Sequence, residues 1–114
     1  SGAPVAGSDL YTGTLDVLIL KALSWGPMHG YGVGRWIRQT TSDALQVQEG
    51  ALYPALHRLE RKGLLDEEWG ISETGREAKY YRLTPAGRKQ LRAEVARWTR
   101  YTLAVSAALH ASPT

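Results

Sequence analysis

Apolar side chains at Leu15, Leu18, Ile19, Ala22 and Leu23 recur with the three- and four-residue steps of one helix face, beginning after Thr14 and stopping at Gly26-Pro27. Thr14 is the expected N-cap, because a hydroxyl there can accept from an unpaired backbone N–H of the first turn. A second helical segment opens at His29-Gly30. In it Tyr31, Val33, Trp36 and Ile37 can share a face, and it ends in the polar run Thr40-Thr41-Ser42-Asp43. His29 reads as a turn or cap residue. Leu45 and Val47 alternate with Gln46 and Gln48, which indicates a short extended piece. The spacing then predicts a third helix over 49–62 that buries Leu52, Ala55, Leu56 and Leu59, with Gly63 as its C′ stop. Pro54 fits a helix that starts near Gly50, since proline in a first turn gives up little hydrogen bonding.

Leu64-Leu65 opens a strand that reaches Trp69, and 78–83 reads as a second, with Tyr81 and Leu83 on one face. The polar stretch 70–77, with Gly75 near its tip, joins them as a hairpin. Two strands are marginal by themselves, so the hairpin is expected to pack on the helices. Thr84-Pro85 supplies an N-cap followed by proline at the first helical position, a strong start for the last helix. Along that helix Leu91, Val95, Trp98, Thr102, Val105 and Leu109 step by four and three, the seam spacing of a coiled coil, with Arg88, Lys89, Arg92, Arg97 and Arg100 off the seam. Such a stripe needs a cover. It either packs back on its own domain or pairs with a second copy, and pairing is the expectation adopted. The expected organisation is a flexible segment over 1–8, a folded domain over 9–84, a dimerisation helix over 85–110 and a disordered tail over 111–114. The fold class is mainly α with a small β-hairpin (α+β).

A chain of 114 residues has room for one domain. It holds no cysteine, which excludes disulfides, thiolate metal sites and cysteine nucleophiles, and a cytoplasmic setting is expected. The longest apolar run, 15–23, is broken by Asp16 and Lys21 and falls short of the roughly 20 residues of a spanning helix, so no membrane partner is expected. No signal peptide is read at the start either. His29, His57 and His110 have no metal-ligand spacing, and no nucleophile triad, phosphate loop or carboxylate pair is recognisable. No enzyme activity, catalytic residue, metal or cofactor is therefore expected. The formal net charge is +3. Its distribution is uneven: Arg and Lys stand 6 against 5 acids over 1–63, 3 against 5 over 64–83, and 5 against 1 over 84–114.

Three helices, a hairpin and a final helix in this order is the winged helix-turn-helix layout. The run 15–23 followed by Gly26-Pro27-Met28-His29-Gly30-Tyr31 resembles the opening of PadR-like regulators. Residues 49–60, Glu-Gly-Ala-Leu-Tyr-Pro-Ala-Leu-His-Arg-Leu-Glu, resemble that family's recognition-helix signature, and Lys79-Tyr80-Tyr81-Arg82-Leu83-Thr84 with Gly87 resembles its second wing strand and the turn into helix four. The similarity covers roughly 14–98. It implies a winged helix-turn-helix domain over 9–84, and the chain's length implies the short subclass with a single C-terminal dimerisation helix. The wing departs from the family: 73–79 carries two bases where relatives often have consecutive arginines.

The resemblance implies a repressor that binds double-stranded DNA as a homodimer on a pseudo-palindromic operator. Once the buried face of helix three is removed, Gln48, Glu49, Gly50, Tyr53, Pro54 and His57 remain, and of these Gln48, Gly50, Tyr53, Pro54 and His57 are the candidates to meet DNA, the alternative for Tyr53 and Pro54 being packing against helix two. Arg58, Arg76, Lys79 and Arg82 are candidate phosphate contacts, with Arg35 and Arg38 reaching the flanking backbone, although a lone exposed arginine is commonly only solvated. Trp25, Trp36 and Trp69 read as core or interface residues. Trp98 matches the position where some multidrug-sensing relatives stack an indole on flat aromatic ligands, and Asp16, Val17 and Val95 would line the same pore for a planar aromatic small molecule. A packed interface with no ligand is the alternative. A winged helix used only for protein contact is the competing function.

Overall fold

Periodicity and caps translate directly into helices. The computed structural model describes Val5–Ala6 and residues 13–113; the rest of the expected flexible segment 1–8, residues 9–12 and Thr114 of the expected tail lie outside the described residues. The elements run β1 (Val5–Ala6), α1 (Thr14–Leu23), β2 (Met28–His29), α2 (Gly30–Thr40), β3 (Leu45–Gln46), α3 (Glu49–Arg61), β4 (Leu65–Ile71), β5 (Glu77–Leu83) and α4 (Pro85–Leu109). The helix caps are partly those anticipated. His29 Nδ1 accepts from Gly32 N at 2.9 Å to start α2, and Thr84 Oγ1 accepts from Gly87 N at 3.0 Å to start α4. Thr14 is not a cap. Gly13, at φ +86°, takes that place, and Thr14 lies inside α1 with its buried hydroxyl unpartnered among the described residues.

The hairpin is larger than two strands. Met28 pairs antiparallel with Tyr81 and His29 with Tyr80, so the sheet has three strands in the order β2-β5-β4. A two-residue strand carries no periodicity of its own, so the spacing of residues does not signal it. Similarly, Val5–Ala6, inside the segment expected to be flexible, pairs parallel with Leu45–Gln46. The core gathers one face of each element: Ile19, Leu20, Ala22 and Leu23 from α1, Val33 and Ile37 from α2, Leu52, Ala55, Leu56 and Leu59 from α3, then Leu65, Tyr81, Leu83 and Leu91. Tyr31 is exposed on α2, and Trp25 and Trp69 are each 69% exposed, which takes both tryptophans out of the core and leaves the interface alternative for them; one sits in the turn after α1 and the other on the hairpin.

The hairpin's base is tied to α3 by charge. Lys79 on β5 pairs with Glu67 on β4 and lies 3.6 Å from Glu60 on α3. The hydrogen bond to Glu60, followed by that to Lys79, lowers the Glu67 carboxyl, whereas the bond to Glu67 and desolvation raise Glu60. Lys79 is raised, chiefly by its bond to Glu67. A lowered carboxyl stabilises the fold above its unfolded pKa, and that contribution fades as pH falls through the folded value. Glu60, shifted upward, works in the opposite sense and favours the protonated form. Lys79→Met is therefore expected to lower the melting temperature at neutral pH, where two facing carboxylates lose their cation. The penalty should shrink as the pH drops through the carboxylate range; thermal melts across pH check this, and a penalty constant down to strong acid would show that lost packing, not charge, is responsible.

Candidate nucleic-acid interface

Removing the core residues from α3 leaves an outward line. Gly50, Pro54, His57 and Arg61 follow one another by four, three and four residues, and all four are exposed. Arg61 was not foreseen, although its i+4 relation to His57 was in the sequence. A helix bearing short side chains at its N-terminal end fits the width of a DNA major groove, about 12 Å. At Gly50 a side chain would meet only open space, so a ligand's backbone could approach there. Pro54 sits in the second turn, not the first, since α3 already begins at Glu49. Its missing N–H leaves the carbonyl of Gly50 without the usual helical partner, an arrangement tolerated because both residues face outward.

Two concavities flank this line. One, of about 460 Å³, lies between α2 and the start of α3 and is lined by Tyr31, Arg35, Arg38, Gln48, Glu49 and Tyr53 among others. The second, of about 480 Å³, lies between α3 and the hairpin, with Tyr53, His57, Trp69, Arg76 and Lys79 on its walls. Tyr53 forms part of both. Its ring presses on Gly30, where a Cβ would come within 2.6 Å of it, so the packing alternative describes its ring. Desolvation and then the Glu49 carboxylate push its phenol up, keeping the hydroxyl a donor. Tyr31, grouped by spacing with Val33, Trp36 and Ile37, is exposed and lies against Arg35, whose guanidinium sits 5.5 Å from the ring centre. Tyr31 and Arg35 are four apart on one helix face, a signal the apolar reading of Tyr31 masked.

The expected phosphate contacts are mostly occupied within the chain. Arg58 is bound to Asp16 of α1, the only acidic member of the expected ligand set, with the Arg58 side chain still 43% exposed. The reason is angular: Arg58 lies next to Leu59 on the side of α3 facing α1. Lys79 is held by Glu60 and Glu67, and Arg82 lies 3.5 Å from Glu68. Arg76, at the hairpin tip, has no ion-pair partner among the described residues. Exposed pairs of this kind are weak enough to exchange for a phosphate, but each exchange lowers the gain.

The last helix divides in two. Leu91, expected on the intersubunit seam, is buried in its own domain's core. The residues after it are not covered: Val95 is 44%, Trp98 38%, Val105 39% and Leu109 76% exposed. Thr102 continues this stripe half-buried, and its hydroxyl donates to the Trp98 carbonyl at 3.0 Å. No described helix is long and apolar enough to cross a membrane.

The family model described as the transcriptional regulator PadR-like family matches residues 19–93. Uncharacterized protein X of Lysinibacillus sphaericus is 33% identical over 91 residues, covering 80% of this chain and 84% of that protein. A transcriptional regulator of Mycobacterium tuberculosis is 48% identical over 59 residues, which is 51% of this chain and 54% of that one. Among solved structures, a transcriptional regulator from Clostridium thermocellum matches with a TM-score of 0.75 and 32% identity, over 82% of this chain and 88% of that chain. A PadR family transcription regulator from hypervirulent Clostridium difficile matches with a TM-score of 0.74 and 28% identity, over 85% of this chain and 99% of that chain.

Proposed function

The chain belongs to the PadR-like family of transcriptional regulators, and we propose that it represses transcription in the cytoplasm as a homodimer seated on a pseudo-palindromic operator. The observation that carries this reading is the outward line Gly50, Pro54, His57 and Arg61 on α3, flanked by the Arg35- and Arg38-lined groove. In this reading the N-terminal half of α3 enters the major groove, with Gln48, Tyr53 and His57 offered to base edges, while Arg35, Arg38, Arg61 and Arg76 meet phosphates. Dimerisation rests on the apolar stripe from Val95 to Leu109, which its own domain leaves bare. The two-fold axis would place two recognition helices a helical turn or a multiple of it apart. Repression follows from occupancy. An aromatic ligand is not part of the reading, since Asp16, the polar residue of the expected site, is already paired with Arg58.

The test is a salt titration of binding to the duplex upstream of its own coding sequence, with light scattering on the same sample. A dimer is expected, with log K falling linearly in log salt by about 0.9 for each phosphate contacted. A dimer whose binding ignores salt, or which binds no duplex at low salt, would favour the protein-contact alternative.

A further inference from the structure

The hairpin tip folds down beside α2, and what it meets there is a groove arginine. Glu73, in the loop between β4 and β5, places Oε1 3.6 Å from the Arg35 guanidinium. Arg35 lies on the wall of the α2–α3 groove and also on the wall of a smaller hollow that contains Glu73, Trp36 and Tyr80. Its guanidinium is further steadied by the Tyr31 ring. Arg35 therefore stands between the surface offered to DNA and an acidic tip that belongs to the same chain. A carboxylate and a phosphodiester present an arginine with the same thing, anionic oxygens that attract its charge and can accept from its N–H groups. A phosphate arriving at the nitrogen that faces Glu73 would compete with that carboxylate for it.

We infer that Arg35 is a phosphate-contacting residue and that Glu73 occupies it in the free protein as an internal stand-in for phosphate, so that DNA binding must first displace the hairpin tip. The inference rests on the DNA reading above and adds a regulatory step to it. Glu73 is one of the 5 acids that 64–83 carries against 3 bases, in a protein whose net charge is +3. In this arrangement the hairpin weakens DNA affinity through Glu73 where a basic wing would strengthen it. The exchange is within reach, because the side chains of Arg35 and Glu73 are 40% and 72% exposed and such pairs are easily broken.

A double-mutant cycle in the full-length protein tests this, using Glu73→Gln, Arg35→Ala and both together, with anisotropy of a labelled upstream duplex and of a scrambled duplex at several salt concentrations. Glu73→Gln is expected to tighten binding about two- to fivefold for both duplexes, since phosphate contacts do not read sequence. Arg35→Ala should weaken it and reduce the salt slope by about 0.9 per subunit. In the Arg35→Ala background the Glu73→Gln gain should vanish. A gain of the same size in both backgrounds would mean that Glu73 acts by general repulsion and would overturn the inference, as would an unchanged affinity in Glu73→Gln. An unaltered salt slope in Arg35→Ala would remove Arg35 from the interface while leaving DNA binding itself intact. Failure of the unsubstituted protein to bind either duplex at low salt would overturn the DNA reading and this inference with it. Both side chains are exposed, so melting temperatures should stay level and a fold defect would be visible as such.

Discussion

Alanine at position 87 is expected to destabilise the protein by about 3 kcal/mol, lowering its melting temperature by roughly 10 °C or more. Helix propensity alone argues the reverse, since Gly→Ala inside an exposed helix gains about 1 kcal/mol. Packing decides the sign here. A Cβ on Gly87 would lie 2.1 Å from the backbone carbonyl oxygen of Leu64, well inside contact distance, and a carbonyl cannot rotate away as a side chain can. That carbonyl is also committed, because it accepts from Thr84 N at 3.1 Å while Thr84 Oγ1 donates to the Gly63 carbonyl at 2.7 Å. The start of α4 is thus locked onto the turn that ends α3, and a methyl group must pry the two apart. Gly50→Ala is the matching control, with open space where its Cβ would stand. Thermal denaturation of both variants checks the claim. A Gly87→Ala protein as stable as the unsubstituted one would mean that α4 does not sit against Leu64 as described.

The second large effect is expected on DNA affinity. Introducing charge into the bare half of α4, with Trp98→Glu and Val105→Glu together, should yield a monomer that binds the operator about a hundredfold more weakly. Linked half-sites gain through effective concentration, on the order of 10²- to 10⁴-fold, and a monomer forfeits that gain. Because both positions are exposed in the single chain, the helical content and the domain's melting behaviour should be retained. Light scattering with anisotropy reads the outcome. A double variant that stays dimeric places the subunit contact elsewhere, and a monomer with undiminished affinity removes dimerisation from the mechanism.

Local signals recovered much of this molecule. All four apolar positions assigned to the inner face of α3 are buried, Thr84 caps α4 with Pro85 behind it, and His29 caps α2. Each of these depends on residues within a turn of one another. The failures share a different property. Trp69 alternates correctly along β4, yet it borders the open concavity between the hairpin and α3 and stays 69% exposed. The seam of α4 is continuous in spacing from Leu91 to Leu109, but only its first residue falls within reach of the domain core. Cover is supplied by distant elements, so spacing along the chain carries no record of where it ends.

The candidate site divides the same way. The sequence by itself determined the family, helix α3 and the face of that helix left outward, because periodicity and capping are short-range and the burial of apolar surface enforces them. Which cations remain available to a phosphate was decided only by the tertiary structure. Arg58 meets Asp16 across 42 positions, and Arg35 meets Glu73 across the hairpin. Coulomb attraction depends on distance in space, and nothing in the order of residues states which carboxylate will arrive beside which arginine.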